Sequence, residues 1–576
     1  MLYWLRNLML GLALSLVALG TSSAQMTEAI YGDLDIFHPV YATNGMVATQ
    51  EALATRIGLD VLKNGGNAID AGVAVGFALA VTLPRAGNLG GGGFMIIHSA
   101  QSGETVALDF REMAPAAATR DMYLDEEGNA VAERSRFSYL AVGVPGTVAG
   151  LALAAEKYGT KPLAELIAPA IDLAENGMPV SPDLADSLAG IGDRLSRWPE
   201  SARIFYKPDG GFYQPGETLV QADLANSLKL IAEQGPSAFY EGEIAEKIVA
   251  DMEANGGLIT LEDMKNYQAV IREPVRGSYR GYDIVSMPPP SSGGIHVVQI
   301  LNMLEHVPMG DLGHNSAGTI HRMAEAMKLA YADRSEYLGD TDYVDVPVTG
   351  LTSKDYAAEL VKQIDLTRAR PASEIGPNNP IPFESNETTH YSVMDKAGNV
   401  VSTTYTINFS YGTGIVAKDT GILLNNEMDD FSAKPGVPNA YGLIGGDANA
   451  IEPGKRPLSS MTPTIVMKDG KVYLITGSPG GARIITTVLQ VILNVIDHGM
   501  NVAEASTATR IHHQWLPDEL RVEEGLSPDT MALLEALGHT IAVKDAMGST
   551  QSIMRLPSGL YGYSDPRRPG ALTTGY

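Results

Sequence analysis

The sequence predicts a mixed α+β protein in which helices lie on sheets. Three stretches carry that expectation. Residues 71–83 bear no charge on any face and stop at Pro84. That run is too short to cross a bilayer, so it reads as a core helix buried all round. Two strand-like runs, residues 94–98 and 104–110, come next in the chain, and adjacent strands after a buried helix suggest stacked layers. Residues 388–394 and 400–407 are both β-rich, and Asp395-Lys396-Ala397-Gly398-Asn399 between them completes a hairpin pattern.

The remaining elements follow in order. Arg6, an apolar run over residues 8–19 and the small residues Ser22-Ser23-Ala24 have the form of an export signal cut after Ala24. Residues 49–63 show helical spacing at Leu53, Ile57, Leu59 and Val61–Leu62, ended by Gly65-Gly66. Asn67, with Asp70 three residues on, is placed to cap the charge-free helix. Residues 149–264 are mostly helical by pattern, with residues 163–176 and 224–234 as examples, and residues 320–331 form a further amphipathic helix. Residues 368–387 hold four prolines and little periodicity, so they read as a loop running straight into the β-rich hairpin. Strands are expected at 421–424, 464–467 and 472–476, and a helix at 482–497. No repeat of solenoid spacing is present.

Composition removes several classes of function. The formal net charge of −26 disfavours a general nucleic-acid binder, which needs a basic patch. There is no cysteine, which removes cysteine nucleophiles, cysteine–zinc sites and iron–sulfur clusters together. No Gly-Lys-Ser/Thr phosphate loop, Gly-x-Ser-x-Gly elbow or His-Glu-x-x-His helix occurs. The histidines are scattered apart from His512-His513, which read as packing residues. The run Gly90–Gly93 follows a helix and precedes a strand, the reverse of a dinucleotide fold. No metal or cofactor is expected. Hydroxyl chemistry without a histidine partner remains. A threonine at the start of a chain can use its own α-amine, with a pKa near about 8, as the proton acceptor. The junction Glu387–Thr388, where a loop feeds a strand, is such a place.

Here the residues resemble a known family. Thr388-Thr389-His390-Tyr391-Ser392-Val393 is similar to the small-subunit start of gamma-glutamyltranspeptidases. Gly66-Asn67-Ala68-Ile69-Asp70-Ala71, Gly90-Gly91-Gly92-Gly93-Phe94, Asp109-Phe110-Arg111-Glu112, Val144-Pro145-Gly146-Thr147 and Ala330-Tyr331-Ala332-Asp333-Arg334 also resemble it. So do residues 425–432, 456–460 and 477–481, and Asp565-Pro566-Arg567, all in the family's order. The resemblance implies a four-layer αββα N-terminal-nucleophile hydrolase fold, formed jointly by two self-cleaved subunits. It implies a signal over residues 1–24, a large subunit over 25–387 and a small catalytic subunit over 388–576, paired as a heterodimer. It further implies an exported enzyme, periplasmic or secreted, that passes a gamma-glutamyl group from glutathione or a related donor to water, an amino acid or a peptide.

Individual roles carry over by the same resemblance. Thr388 is the nucleophile in both self-cleavage and catalysis. Thr406 supports it and Asn408 binds substrate; their shared parity on the return strand expects both side chains on one side. Gly480 and Gly481 form the oxyanion hole. Arg111, Ser459 and Ser460 receive the donor carboxylate, and Glu427 and Asp430 its ammonium group. Many bacterial members carry Gln where this chain has Glu427. The Gly- and Pro-rich residues 435–449 resemble a lid with Tyr441 closing over the site. Two other readings stay open: a side-chain amide acylase of the same superfamily, of glutaryl or cephalosporin type, and a processed but inert binding protein.

Overall fold

Alternation decides the architecture. In the computed structural model, which describes residues 35–380, 389–434, 436–437 and 442–576, neighbouring residues of each central strand enter two different cores. Met46 and Ala48, Phe94 and Ile96, and Met394 and Val400 point into one core, where they meet Val285, Ile465, Ile475 and Ile553. Val47, Met95, Ile97, Leu108, Val393 and Val401 point into the other, where they meet Val73, Phe77 and Leu79. A period of two with both faces apolar is the mark of a sheet covered on both sides.

Two seven-stranded sheets result. One runs, in spatial order, Leu572–Gly575, Met46–Thr49, Thr389–Met394, Val400–Thr406, Gly92–His98, Thr105–Asp109 and Val270–Arg272. The other runs Val40–Ala42, Gly559–Ser564, Gln551–Leu556, Lys471–Thr476, Thr464–Lys468, Tyr282–Ser286 and Val275–Tyr279. The first sheet is covered by the helices Ala52–Lys63 and Ala68–Thr82. The second is covered by Gly293–Leu304, against which Arg483–Ile496 packs. The order is therefore helix, sheet, sheet, helix, as expected, and Pro39–Tyr576 folds as one unit.

The hairpin sits at the centre of the first sheet. Thr389 pairs with Tyr405 and Met394 with Val400, with Met46–Thr49 and Gly92–His98 on either side. Its turn is held by the Asp395 carboxylate, which accepts from the N–H groups of Gly398 and Asn399, both at 3.0 Å. Between the sheets lies a polar ladder. His390 bonds Thr404 and Ser392, each at 3.0 Å, and the Ser392 hydroxyl donates to the Gln551 carbonyl across the gap at 2.8 Å. Burial pushes the His390 pKa down to about 3, so the ring is a neutral link.

Some expectations needed correction. The first helix begins at Ala52, because Thr49 is drawn into the sheet opposite Leu572 and Glu51 caps the helix instead. Residues 421–424 are not a strand. Gly421 has φ 70°, and only isolated bridges join Leu424 to Gly90 and Leu423 to Val416. The helix around residues 320–331 extends over Ala317–Tyr337. The export signal and residues 381–387 lie outside the described residues. Among the described residues no helix is long and apolar enough to cross a membrane.

The capping box at Asn67 and Asp70 is present as expected. Asp70, fully buried, also accepts from the N–H groups of Thr160 at 2.8 Å and Lys161 at 3.1 Å. Asp70→Ala strands three part-buried backbone donors, the Asn67 N–H among them, and so removes the reciprocal half of the capping box. It is expected to cost about 3 kcal/mol, since each lost buried partner costs roughly 1–3 kcal/mol. The check is the urea unfolding midpoint of the purified protein.

Candidate active site

The hairpin's return strand ends at Thr406, and there the chain turns sharply. Asn408 has φ 70°, and its N–H donates to the Thr406 hydroxyl at 2.8 Å. Its side chain donates to the Asn426 carbonyl at 2.9 Å. Thr406 and Asn408 do line one cleft, together with Gly480. The cause is this turn, not strand parity, because the strand has already stopped at Thr406. Thr406 lies opposite Gly92 in the ladder. A Cβ on Gly92 would stand 2.5 Å from the Phe110 carbonyl oxygen and 2.7 Å from Glu112 Oε2, so only glycine lets the strand lie this close to the segment that carries Arg111.

Arg111 is the centre of a buried charge cluster. It follows the strand Thr105–Asp109 and has no exposed surface. Nη1 pairs with Glu427, and Nη2 donates to Asp430 Oδ2 at 2.5 Å. Nε donates to the Pro457 carbonyl at 3.0 Å and Nη2 also to that of Leu458 at 3.3 Å. A third acid, Glu112, lies 3.6 Å from Nη1. Burial opposes the Arg111 charge, but Glu427, Asp430 and Glu112 outweigh it and hold its pKa above the ordinary value. The acids outnumber the cation. Burial, opposed by Arg111, raises Glu112 to about 7. Burial first, then the other carboxylates, raises Glu427 and Asp430 well above the usual carboxylate range. All three acids therefore lose their protons at higher pH in the folded chain than in the unfolded one.

The two serines follow in the chain the Leu458 carbonyl that Arg111 reaches. Ser459 and Ser460 are fully buried directly after Leu458. The Ser460 hydroxyl accepts from Arg334 at 3.2 Å, and Ser459 Oγ accepts from the Met461 N–H at 3.1 Å. Gly480 and Gly481 sit between the strand Lys471–Thr476 and the helix Arg483–Ile496, with φ 136° and 66°. Their carbonyls accept from the first turn of that helix. Among the described residues their own N–H groups donate to no protein acceptor. Two free donors at a helix start suit a developing negative oxygen.

The structure thus brings together Thr406, Asn408 and Gly480 in one cleft, and Arg111, Glu427 and Asp430 in one cluster. Asn426, which holds Asn408, is the neighbour of Glu427. Thr388 and Tyr441 lie outside the described residues. Two residues of the cluster went without a role at the level of sequence. Glu112 stands beside Arg111 in the Asp-Phe-Arg-Glu motif, and its charge was the available signal. Arg456 donates to the Arg111 carbonyl at 2.8 Å and to that of Gln268 at 2.7 Å, so it braces the backbone beneath the site. One group with metal-ligand chemistry occurs among the described residues: His321, Glu325 and His539. Its donors are already engaged, with His321 bonded to His539 at 2.8 Å and Glu325 paired to the Lys328 ammonium at 2.5 Å.

The fold is the αββα arrangement of N-terminal-nucleophile hydrolases. Residues 54–575 match the family model described as gamma-glutamyltranspeptidase, and the chain belongs to that family. It is 62% identical over 543 residues to a glutathione hydrolase proenzyme of Escherichia coli, covering 94% of this chain and 93% of that one. Among solved structures it resembles a cephalosporin acylase from Bacillus halodurans, with TM-score 0.83, 30% identity and coverage of 95% and 98%. It also resembles the gamma-glutamyltranspeptidase of Helicobacter pylori, with TM-score 0.57, 49% identity and coverage of 60% of this chain and 97% of that one.

The proton held at Glu112 gives stability a pH slope. Its ordinary pKa is 4.5 and the folded value about 7. This stabilisation is complete below the unfolded pKa and is lost as pH rises through the folded one. Glu427 and Asp430 shift in the same direction. Glu112→Gln is therefore expected to show a smaller drop in urea midpoint between pH 5 and pH 7.5 than the parent chain. Equal drops would mean that Glu112 holds no extra proton.

Proposed function

We propose that this chain is a self-processing gamma-glutamyl hydrolase and transferase whose nucleophile is Thr388. The observation that carries the donor assignment is the arginine forked between two carboxylates with no exposure to solvent. A glutaryl group needs only a cation at its far end. An α-amino-acid head needs both signs, and Arg111 with Glu427 and Asp430 supplies both. That favours the gamma-glutamyl reading over the acylase reading that the cephalosporin acylase likeness also allows.

In maturation the Thr388 hydroxyl attacks the Glu387 carbonyl. The peptide C–N bond breaks, an ester forms on the Thr388 oxygen, and its nitrogen becomes a free amine. Water then cleaves the ester, leaving the large subunit over residues 25–387 and the small one over 388–576. In catalysis the freed amine takes the hydroxyl proton as the oxygen attacks the donor's side-chain amide. Gly480 and Gly481 hold the oxyanion with their free N–H groups. The proton passes to the leaving amine, and a gamma-glutamyl ester stays on Thr388. Water or an incoming amine then takes the acyl group, and the threonine oxygen recovers its proton. Thr406, held in place by Asn408, orients the nucleophile. Arg111, with Ser459 and Ser460, receives the donor carboxylate, while Glu427 and Asp430 receive the ammonium group and Asn408 contacts the same head group. Tyr441 closes over the donor. The first 24 residues direct export, so the donor is met outside the cytoplasm.

Thr388→Ala is expected to remain a single uncut chain on a denaturing gel, while the parent gives two pieces, one beginning Thr-Thr-His-Tyr-Ser-Val by mass analysis. Efficient cutting of the variant removes the proposal. Arg111→Lys keeps the charge but loses the fork. It is expected to lower kcat/KM for a chromogenic gamma-glutamyl anilide by about 100-fold, since two charge-assisted bonds are worth roughly 3 kcal/mol. The change should appear mainly in KM.

A further inference from the structure

Beyond Thr406, Asn408 and Gly480 the cleft opens into a chamber of about 860 Å³. Five arginines line it: Arg85, Arg136, Arg194, Arg483 and Arg568. The acids on its wall are Asp183 and Asp186. Excess positive charge in a cleft stands against a chain whose formal net charge is −26. Clefts lined by one sign of charge concentrate the opposite ion.

Four of these arginines have structural partners. Arg85 forks onto Asp183, at 3.0 Å to Oδ1 and 2.7 Å to Oδ2. Arg136 donates to Asp429 at 3.2 Å. Arg194 donates to the Ser410 carbonyl and lies over the Phe137 ring, 5.2 Å from its centroid. Arg483 Nε donates to the Gly480 carbonyl at 2.8 Å, which ties a guanidinium directly to the proposed oxyanion turn. Arg568 differs. Among the described residues its guanidinium makes no hydrogen bond or ion pair, and it is open to the solvent of the chamber. Surrounding protein first, and then Arg85, hold its pKa below the ordinary arginine value; Asp183 and Asp565 oppose this in part, and Arg483 adds to it. A guanidinium fork with no direct partner among the described residues, beside a second cation, is arranged to take an anion.

We propose that Arg568, backed by Arg85 and Arg483, is the subsite for the free carboxylate of the group on the far side of the scissile amide. In hydrolysis that group is the departing peptide, and glutathione presents its glycine carboxylate there. In transfer it is the acceptor amino acid or peptide, whose amine attacks the Thr388 ester while its carboxylate rests on Arg568. The amine forms the new amide and gives up one proton, which returns to the threonine oxygen. This assignment rests on the gamma-glutamyl reading above and adds the second half of the substrate to it. One charged anchor, Arg111, holds the head of the donor, and another, on the chamber wall that Gly480 also lines, holds its tail.

The test compares three donors on the matured enzyme: glutathione, glutathione with its glycine carboxylate converted to a carboxamide, and a gamma-glutamyl anilide. The parent should prefer glutathione over the carboxamide in kcat/KM by about tenfold, the scale of one charge-assisted hydrogen bond in an open chamber. Arg568→Gln should reduce that preference to about twofold, and Arg568→Lys should fall between the two, because the charge remains while the fork is lost. Equal cleavage of glutathione and its carboxamide by the parent overturns the subsite. So does an unchanged preference in Arg568→Gln. Should that variant fail to mature, the parent's ratio and the Arg568→Lys ratio still decide. Anilide hydrolysis is the separate readout: its absence in the parent defeats the gamma-glutamyl reading itself, whatever the ratio.

Discussion

One buried cation governs the site. Arg111 is shared among Glu427, Asp430 and Glu112 with no exposed surface. Water cannot screen these charges, so the arginine and the acids must balance one another, and burial shifts the acids toward their protonated forms. Three distant segments are tied by this need: the end of the strand Thr105–Asp109, the turn Glu427–Asp430, and the stretch from Pro457 to Ser460. A zwitterionic group carries both signs and adds no net charge, which is why the proposed donor head group suits a cluster that already holds both signs.

The sandwich gives this cluster a fixed frame. The hairpin Thr389–Met394 and Val400–Thr406 lies third and fourth among seven strands, and both faces of its sheet are covered. Such a strand cannot fray, so Thr406 at its end is held with the precision of the core. Glycines set the approach distances. At Gly92 the backbone passes so near Phe110 and Glu112 that a single methyl group would part the sheet from the charge cluster.

Polarity then separates two places near the hairpin's end. The Arg111 cluster is sealed from solvent, and the cleft lined by Thr406, Asn408 and Gly480 is open, with more arginines than acids. Among the described residues the backbone N–H groups of Gly480 and Gly481 donate to no protein acceptor. The two places differ in dielectric surroundings.

Much of this was legible in the residues. The capping box at Asn67 and Asp70, the charge-free helix Ala68–Thr82 and the hairpin turn at Asp395 are local, written within a few positions by hydrogen-bonding capacity and periodicity. The type of each candidate residue was legible too, together with its place in a motif. The strands Val270–Arg272, Val275–Tyr279, Tyr282–Ser286, Gln551–Leu556 and Gly559–Ser564 went unread, since short runs whose pairing partners lie far off carry little local signal. Only the tertiary structure set Arg111 against partners 316 and 319 positions away, turned Asn408 by a left-handed residue, and placed Arg568 on one chamber wall with Arg85 and Arg483. A side chain's chemistry belongs to its own position. Its burial, its charge balance and its freedom to bind depend on which segments the fold lays beside it.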